Sequence, residues 1–303
     1  MAAGSVSPEL VTLLVSPRGP AFCRLLRRVY YEELQAGHIT PHASADEAPL
    51  LETAIELGLL RAATGSGGLQ MTPFGYEVSN VAKEYSNWLD AGGRLPDGVS
   101  EAMLAGKRVL DVGCGFGRHM LGFARAHGRP IGIELQDTYL QLSRVFAAHH
   151  EIPTPPVARA RAEHLPFRSG AFDVVFCRLV INYVRHIDDT LAEFVRVLTP
   201  QGILVLTIDP LDVPVRTLLR SKWIGNMRTI AFTLFGLANT ACLQTTGRQI
   251  VIRSRGRMHA AHSPAWPTSG WFERRLAAHG LRPAQGTATR IDGLRGVFVG
   301  RLV

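Results

Sequence analysis

The stretch from Val109 to His119, VLDVGCGFGRH, limits the possible folds more than any other part of the chain. A short apolar run carrying Asp111 breaks into three glycines at alternate positions, Gly113, Gly115 and Gly117. Such a turn needs left-handed torsions, or a neighbour that comes close to the backbone. The surrounding pattern predicts a strand over 108–112, a helix over 118–127, a strand over 130–134 and a helix over 137–149. Strands at 157–160 and 172–177, a helix at 187–198 and a strand at 202–208 continue it. Alternation of this kind builds a parallel sheet covered by helices on both faces, with a ligand crevice at the carboxyl ends of the strands beside the first one.

The flanks carry different signals. Residues 20–36 and 46–60 read as helices, followed by a turn at 65–68. Leu69 to Thr72 and the segment around Tyr76 then read as a short hairpin or strand-turn. Beyond the fifth strand, residues 210–268 form an insertion. Its first part, 223–238, is apolar enough for a buried helix, although Asn226, Arg228 and Asn239 disfavour a membrane span. Residues 248–257 alternate like a strand with Arg253, Arg255 and Arg257 on one face. A helix near Ser269 follows, and Ala284 to Arg290 and Val297 to Val303 suit the sixth and seventh strands. The expected architecture is α/β, a doubly wound, seven-stranded, mostly parallel sheet preceded by a helical domain over 1–95. Residues 96–303 hold the sheet, with the 210–268 insertion as a lid.

At 303 residues and 46% hydrophobic content the chain can bury a full core. No apolar run reaches the roughly 18–20 residues of a membrane span, and the first residues lack a secretory signal, so a soluble cytoplasmic protein is expected. Cys23, Cys114, Cys177 and Cys242 are too scattered for a disulfide framework or a zinc site, and no metal is expected. Charge is divided unevenly. Residues 210–303 carry 14 Lys or Arg against Asp212, Glu273 and Asp292, a net of +11, whereas residues 1–95 hold 7 basic against 10 acidic side chains. A net of −3 is unsuited to a phosphate backbone.

Residues 107–209 resemble the class I S-adenosylmethionine (SAM) dependent methyltransferases. The resemblance rests on VLDVGCGFG, on IGIE ending at Glu134, on AEHLPF at 162–167, on FDVVFC at 172–177 and on VLTPQG at 197–202. The N-terminal segment, LLETAIELGLL followed by LQMTPFG, resembles the winged-helix domains that small-molecule methyltransferases use for dimerisation; a winged helix can instead bind DNA, but the net of −3 over residues 1–95 favours a homodimer or a substrate cap. The resemblance implies SAM as cofactor, held by Asp111, Gly113, Gly115, Gly117, Glu134, Leu135, Ala162, Glu163, Cys177 and Arg178. Glu134 would accept hydrogen bonds from both ribose hydroxyls, Ala162 would offer its N–H to the adenine ring, and Asp111 would orient loop amides. Where the family usually places an acid before the Ala-Glu pair this chain has Arg161, a donor only. Either Glu163 or a backbone carbonyl would take over that contact, or the adenine would sit differently.

The acceptor side is carried by Asn182 and Tyr183, just beyond the fourth strand, with His262, His186 and His259 as candidate bases. An apolar lid beside a basic segment suits a small, partly apolar acceptor with an acidic end, although the same stretches also read as a dimer interface and as a solvated edge strand whose charges block aggregation. Two other readings share the SAM site: a methyltransferase-fold enzyme that cyclises or cleaves SAM itself, and a nucleic-acid methyltransferase using the basic C-terminal third. The second lacks the Asn/Asp-Pro-Pro-Tyr motif, a Pro-Cys nucleophile and stacking aromatics among its arginines.

Overall fold

The computed structural model describes residues 6–36, 39, 44–63, 68–150, 156–208, 227–250, 265–283, 290–292 and 295–302. The chain begins with helices Pro8–Val15 (α1), Gly19–Ala36 (α2) and Ala48–Glu56 (α3), then strands Leu60–Ala62 (β1) and Leu69–Met71 (β2) and helix Pro73–Asp90 (α4). The antiparallel hairpin joins β1 to β2, and Tyr76 belongs to α4, which corrects the strand-turn expected there. The local cause is legible afterwards. Thr72 accepts the Gly75 N–H at 2.9 Å as N-cap, and Pro73 occupies the first turn. Gly75 is required because a Cβ there would lie 1.8 Å from the Leu59 carbonyl oxygen.

The sheet domain follows with Glu101–Leu104 (α5), Arg108–Val112 (β3), Arg118–Arg125 (α6), Arg129–Glu134 (β4), Asp137–His149 (α7), Val157–Arg159 (β5) and Phe172–Arg178 (β6). Next come Ile187–Val197 (α8), Leu198–Ile208 (β7), Met227–Thr246 (α9), Ser269–Ala278 (α10), Leu281–Pro283 (β8), Arg290–Asp292 (β9) and Arg295–Leu302 (β10). The strand order is β5-β4-β3-β6-β7-β10-β8, with β9 paired to β10 off that path. Strands β5 to β7 pair in parallel, and β10 runs antiparallel between β7 and β8. This is the seven-stranded, mostly parallel, doubly wound sheet that the sequence pattern predicts. The sixth strand falls earlier than expected, because Gly280 (φ +73°) turns the chain from α10 straight into Leu281; residues 284–289 lie outside the described ones.

Side-chain alternation along the strands supplies both faces. Leu110, Val112, Val175 and Cys177 pack with Leu191 and Phe194 of α8 and Phe272 and Leu276 of α10. Val109, Val174 and Phe176 pack with Phe123 of α6. A third cluster crosses from the N-terminal helices into the sheet domain: Phe22, Leu26, Val78 and Tyr85 share it with Phe116, Leu142 and Phe146. The Tyr85 and Phe146 rings lie 4.1 Å apart and the Phe116 and Phe146 rings 5.1 Å.

Phe146 therefore joins the core of residues 1–95 to that of the sheet. Truncation to Ala should cost about 3–5 kcal/mol. In urea, fluorescence and far-UV circular dichroism should report one coincident transition, shifted as a whole in the variant; two separate transitions would mean that the helical segment and the sheet hold independent cores.

Candidate active site

The chain leaves β3 for β4 on one side, while β6 lies on the other, so the loops after β3 and β6 diverge and open a crevice. Gly113, Gly115 and Gly117 all have left-handed torsions, φ +69°, +56° and +84°, but their surroundings differ. A Cβ on Gly113 would lie 2.1 Å from Cγ2 of Val180, and one on Gly117 would lie 3.1 Å from Cε of Met120. At Gly115 the nearest atom is Cδ2 of Tyr139 at 3.9 Å. Gly113 thus admits Val180, Gly117 is the left-handed N-cap of α6, and the open face belongs to Gly115.

Glu134 ties the loop after β3 to the loop after β4. Its Oε2 accepts the Gly115 N–H at 3.0 Å, and its Oε1 accepts those of Leu135 at 2.6 Å and Gln136 at 3.1 Å. Burial raises its pKa against the pull of these three amides. Oε2 keeps a second lone pair, so a hydroxyl can still donate to it. Leu135, the next residue, is 44% exposed at the rim.

The Gly113 and Cys114 amides donate to the Ile133 carbonyl at 2.8 and 2.9 Å, and the Gly117 amide donates to the Cys114 carbonyl at 2.9 Å. These three loop N–H groups bond to backbone carbonyls, above the buried Asp111 of β3. Asp111 is 1% exposed, and among the described residues its Oδ2 has no hydrogen-bond partner. Burial pushes its pKa up to about 8, Glu134 adds to the rise, and Arg118 and Arg178 oppose it.

Beyond β6, Leu179 takes a left-handed conformation (φ +62°) with its N–H on the Thr207 carbonyl at 2.9 Å. That strained turn brings Val180 over Gly113. The Cys177 side chain is sealed in the core, its thiol pushed up to about 12 by burial. Arg178 is half-buried, close enough to Asp111 to lower its pKa. Ala162 is buried, and Glu163 accepts the Arg185 N–H at 3.2 Å with Arg161 Nε 3.8 Å away.

Of the two residues expected to face the acceptor, Tyr183 is 42% exposed and Asn182 is 2% exposed. Asn182 turns inward: its Nδ2 donates to the Ala265 carbonyl at 2.8 Å, and its own carbonyl accepts the Ala265 N–H at 3.0 Å. His186 lies 4.0 Å from Asp189 Oδ2. His259, His262, Arg253, Arg255 and Arg257 lie outside the described residues. Among the described residues no cluster of His, Cys, Asp or Glu could hold a metal ion, and no helix is long and apolar enough to cross a membrane.

Sequence reasoning missed the contribution of α4. Glu77 Oε2 accepts from Thr138 Oγ1 at 2.7 Å, Asn80 Nδ2 donates to the Tyr139 hydroxyl at 2.7 Å, and Glu84 pairs with Arg118. These residues share one face of α4 and reach the first turns of α7 and α6, where the helices leave the two loops of the crevice. Once α4 is read as a helix, the spacing of Glu77, Asn80 and Glu84 is the available signal.

The family described as "Methyltransferase domain" matches residues 110–206. The chain is similar to the phthiotriol/phenolphthiotriol dimycocerosates methyltransferase of Mycobacterium leprae, 35% identical over 106 residues that cover 34% of this chain and 38% of that protein. It is also similar to the tRNA U34 carboxymethyltransferase of Methylococcus capsulatus, 38% identical over 107 residues that cover 35% of this chain and 33% of that protein. The chain therefore spans well under two thirds of the length of these relatives. Among solved structures, a chain of the complex between the Haloferax volcanii Trm112 methyltransferase activator and its methyltransferase matches with a TM-score of 0.50 at 14% identity. That match covers 75% of this chain and 94% of that one, a likeness of fold.

Asp111 offers a pH test. Its folded pKa of about 8 lies above the ordinary aspartate value of 3.8, so the folded state binds more protons between those values. Stability contributed by this group is present at low pH and is lost as pH rises, by up to about 1.4 kcal/mol per pH unit. Asp111→Asn lacks that loss, so its melting temperature relative to the parent should climb from pH 5 to pH 8. A difference that stays flat with pH would show that Asp111 titrates like an exposed carboxylate.

Proposed function

We propose, proceeding from a chain that carries a class I SAM-dependent methyltransferase domain, that the protein methylates a small acceptor with an apolar body and an acidic end. The observation that carries this reading is the open face of Gly115, bonded through its own N–H to Glu134 at the mouth of the crevice. A Cβ would fill that cradle, and the spare lone pair of Glu134 and the unpartnered Oδ2 of Asp111 are acceptors in want of donors. These features fit SAM, whose ribose, ammonium group and sulfonium supply hydroxyl and N–H donors and positive charge.

When bound, SAM supplies an electrophilic methyl group on sulfur. The chain's part is alignment. Glu134 holds the ribose, Gly115 lets the cofactor lie against the backbone, and Arg178 and the Cys177 backbone border the methionine end. Ala162 and Glu163 border the adenine. Displacement at a methyl group gains most from fixing donor and acceptor in line. Tyr183 is assigned to orienting the acceptor, Asn182 to fixing the loop that carries Tyr183, and His262 to accepting a proton where the acceptor must lose one. The exposed side chains of Leu135 and Tyr183 at the rim, and of Leu234 on α9, support an apolar acceptor body; the net +11 of residues 210–303 supports an acidic end. Residues 1–95 are assigned to capping the loop side of the crevice and to self-association.

Incubation with SAM labelled at the methyl group tests the reaction. Label should leave the sulfur and appear on a small acidic metabolite; retention in a sulfur product would point to cyclisation of SAM, and label in RNA would replace the acceptor class. Gly115→Val should abolish SAM binding by calorimetry with the far-UV spectrum unchanged, and Glu134→Ala should weaken it by about 2–3 kcal/mol. Unchanged affinity in both would put the cofactor elsewhere. Tyr183→Phe should keep most of the turnover that Tyr183→Ala loses, since a hydroxyl with a pKa near roughly 10 is a poor base at neutral pH; a Phe variant as inactive as Ala would make the hydroxyl a chemical participant.

A further inference from the structure

The ion cluster between α4 and the glycine loop has a use beyond holding two helices together. Arg118, the first residue of α6, donates from Nη1 to both the carbonyl and the Oε2 of Glu84, and Lys83 Nζ lies 3.2 Å from Oε1 of Glu84. One turn earlier on α4, Asn80 holds the Tyr139 hydroxyl, and the Tyr139 ring borders the open face of Gly115. Three cations, Lys83, Arg118 and Arg178, thus act on Glu84 beside the crevice. Burial works against the charge of Glu84, yet these three cations hold its carboxyl at about 2. Asp111 and Glu134 are both shifted the other way by burial. Glu84 is thus a carboxylate held by direct ion pairs to Arg118 and Lys83, and it lies outside the residues matched by the methyltransferase domain.

We infer that Glu84 is a specificity-determining residue of the cofactor site: its fixed negative charge favours the cationic donor SAM over the neutral product S-adenosylhomocysteine. This rests on the SAM site proposed above. The two ligands share ribose, adenine, carboxylate and ammonium groups, and differ in the methyl group and the sulfonium charge. Contacts to the shared parts move both affinities together, whereas a charge moves their ratio. A unit charge roughly 10 Å away, at an effective dielectric of about 20–40, changes the binding of a unit cation by about four- to sixteenfold. Arg118, Lys83 and Arg178 carry the opposite charge and oppose the field of Glu84, so it is the contribution of Glu84 alone that its replacement removes from the ratio. The pair of Glu84 and Arg118 therefore makes two opposite demands on the ratio.

Calorimetry of SAM and S-adenosylhomocysteine on the full chain, with Glu84→Gln and Arg118→Gln, separates field from structure. Glu84→Gln should lower the SAM preference by about fivefold, Glu84→Asp should restore most of it, and Arg118→Gln should raise it. Both neutral variants break the same ion pair, so a structural role predicts equal losses for both ligands in both variants, and that outcome overturns the inference. If Glu84→Gln does not fold, Arg118→Gln decides alone: a higher SAM preference supports the field and an unchanged ratio refutes it. A parent chain that binds neither ligand would instead refute the cofactor site itself.

Discussion

The crevice depends on one carboxylate. Glu134 ends β4, and by accepting N–H groups from Gly115, Leu135 and Gln136 it fixes the loop after β3 against the loop after β4. Each of these amides is at or near a strand end, where no ladder partner remains for it. A neutral side chain of the same size would offer one acceptor oxygen in place of two, so the staple needs an acid. Burial makes that acid costly to ionise, and three amide donors are what offset the cost. The left-handed torsion of Gly115 then has a purpose beyond the turn: it aims the N–H at Glu134 and leaves the other side of the residue open.

The glycines illustrate how one motif divides into separate duties. Gly113 is needed because Leu179, in a left-handed conformation rare for its type, throws Val180 across it. Gly132, inside β4, meets the same kind of demand from below: a Cβ there would lie 2.6 Å from the Cys114 sulfur and 2.7 Å from that of Met120. The loop is thus built from packing constraints on both sides, and its open face is what those constraints leave over.

Legibility followed the range of the interactions. The β3 to β7 units were readable because a buried parallel strand and an amphipathic helix each leave a local pattern, and the glycines and Glu134 were readable because they fall at the ends of those units. Tyr76 falls on a helix because the Thr72-Pro73 helix start follows directly on the strand Leu69–Met71, and a strand that abuts a helix leaves little local pattern to mark the boundary. Glu84 was invisible for a different reason: its partner Arg118 is 34 residues away, and nothing in the spacing of either residue announces the other. The division at residue 95 is a change of sequence pattern, whereas the core that joins Tyr85 to Phe146 is a matter of packing, which pattern does not report.

Behind Tyr183 the structure uses polar groups where an apolar core would have been simpler. Asn239 accepts the Ile250 N–H at 2.7 Å, Thr240 accepts the Trp266 N–H at 2.8 Å, and Gln249 donates to the Ile181 carbonyl at 3.4 Å, all three side chains being buried. Together with Asn182 and Ala265 they tie α9 and the segments at 248–250 and 265–266 to the short helical turn Ile181–Tyr183. Apolar surfaces tolerate sliding; a buried donor or acceptor displaced by an ångström loses its bond and keeps its desolvation cost. The network therefore specifies one position for that turn. With Ile181 and Asn182 committed to it, Tyr183 is left pointing out, so its exposure follows from the pinned backbone on either side of it rather than from any preference of its own.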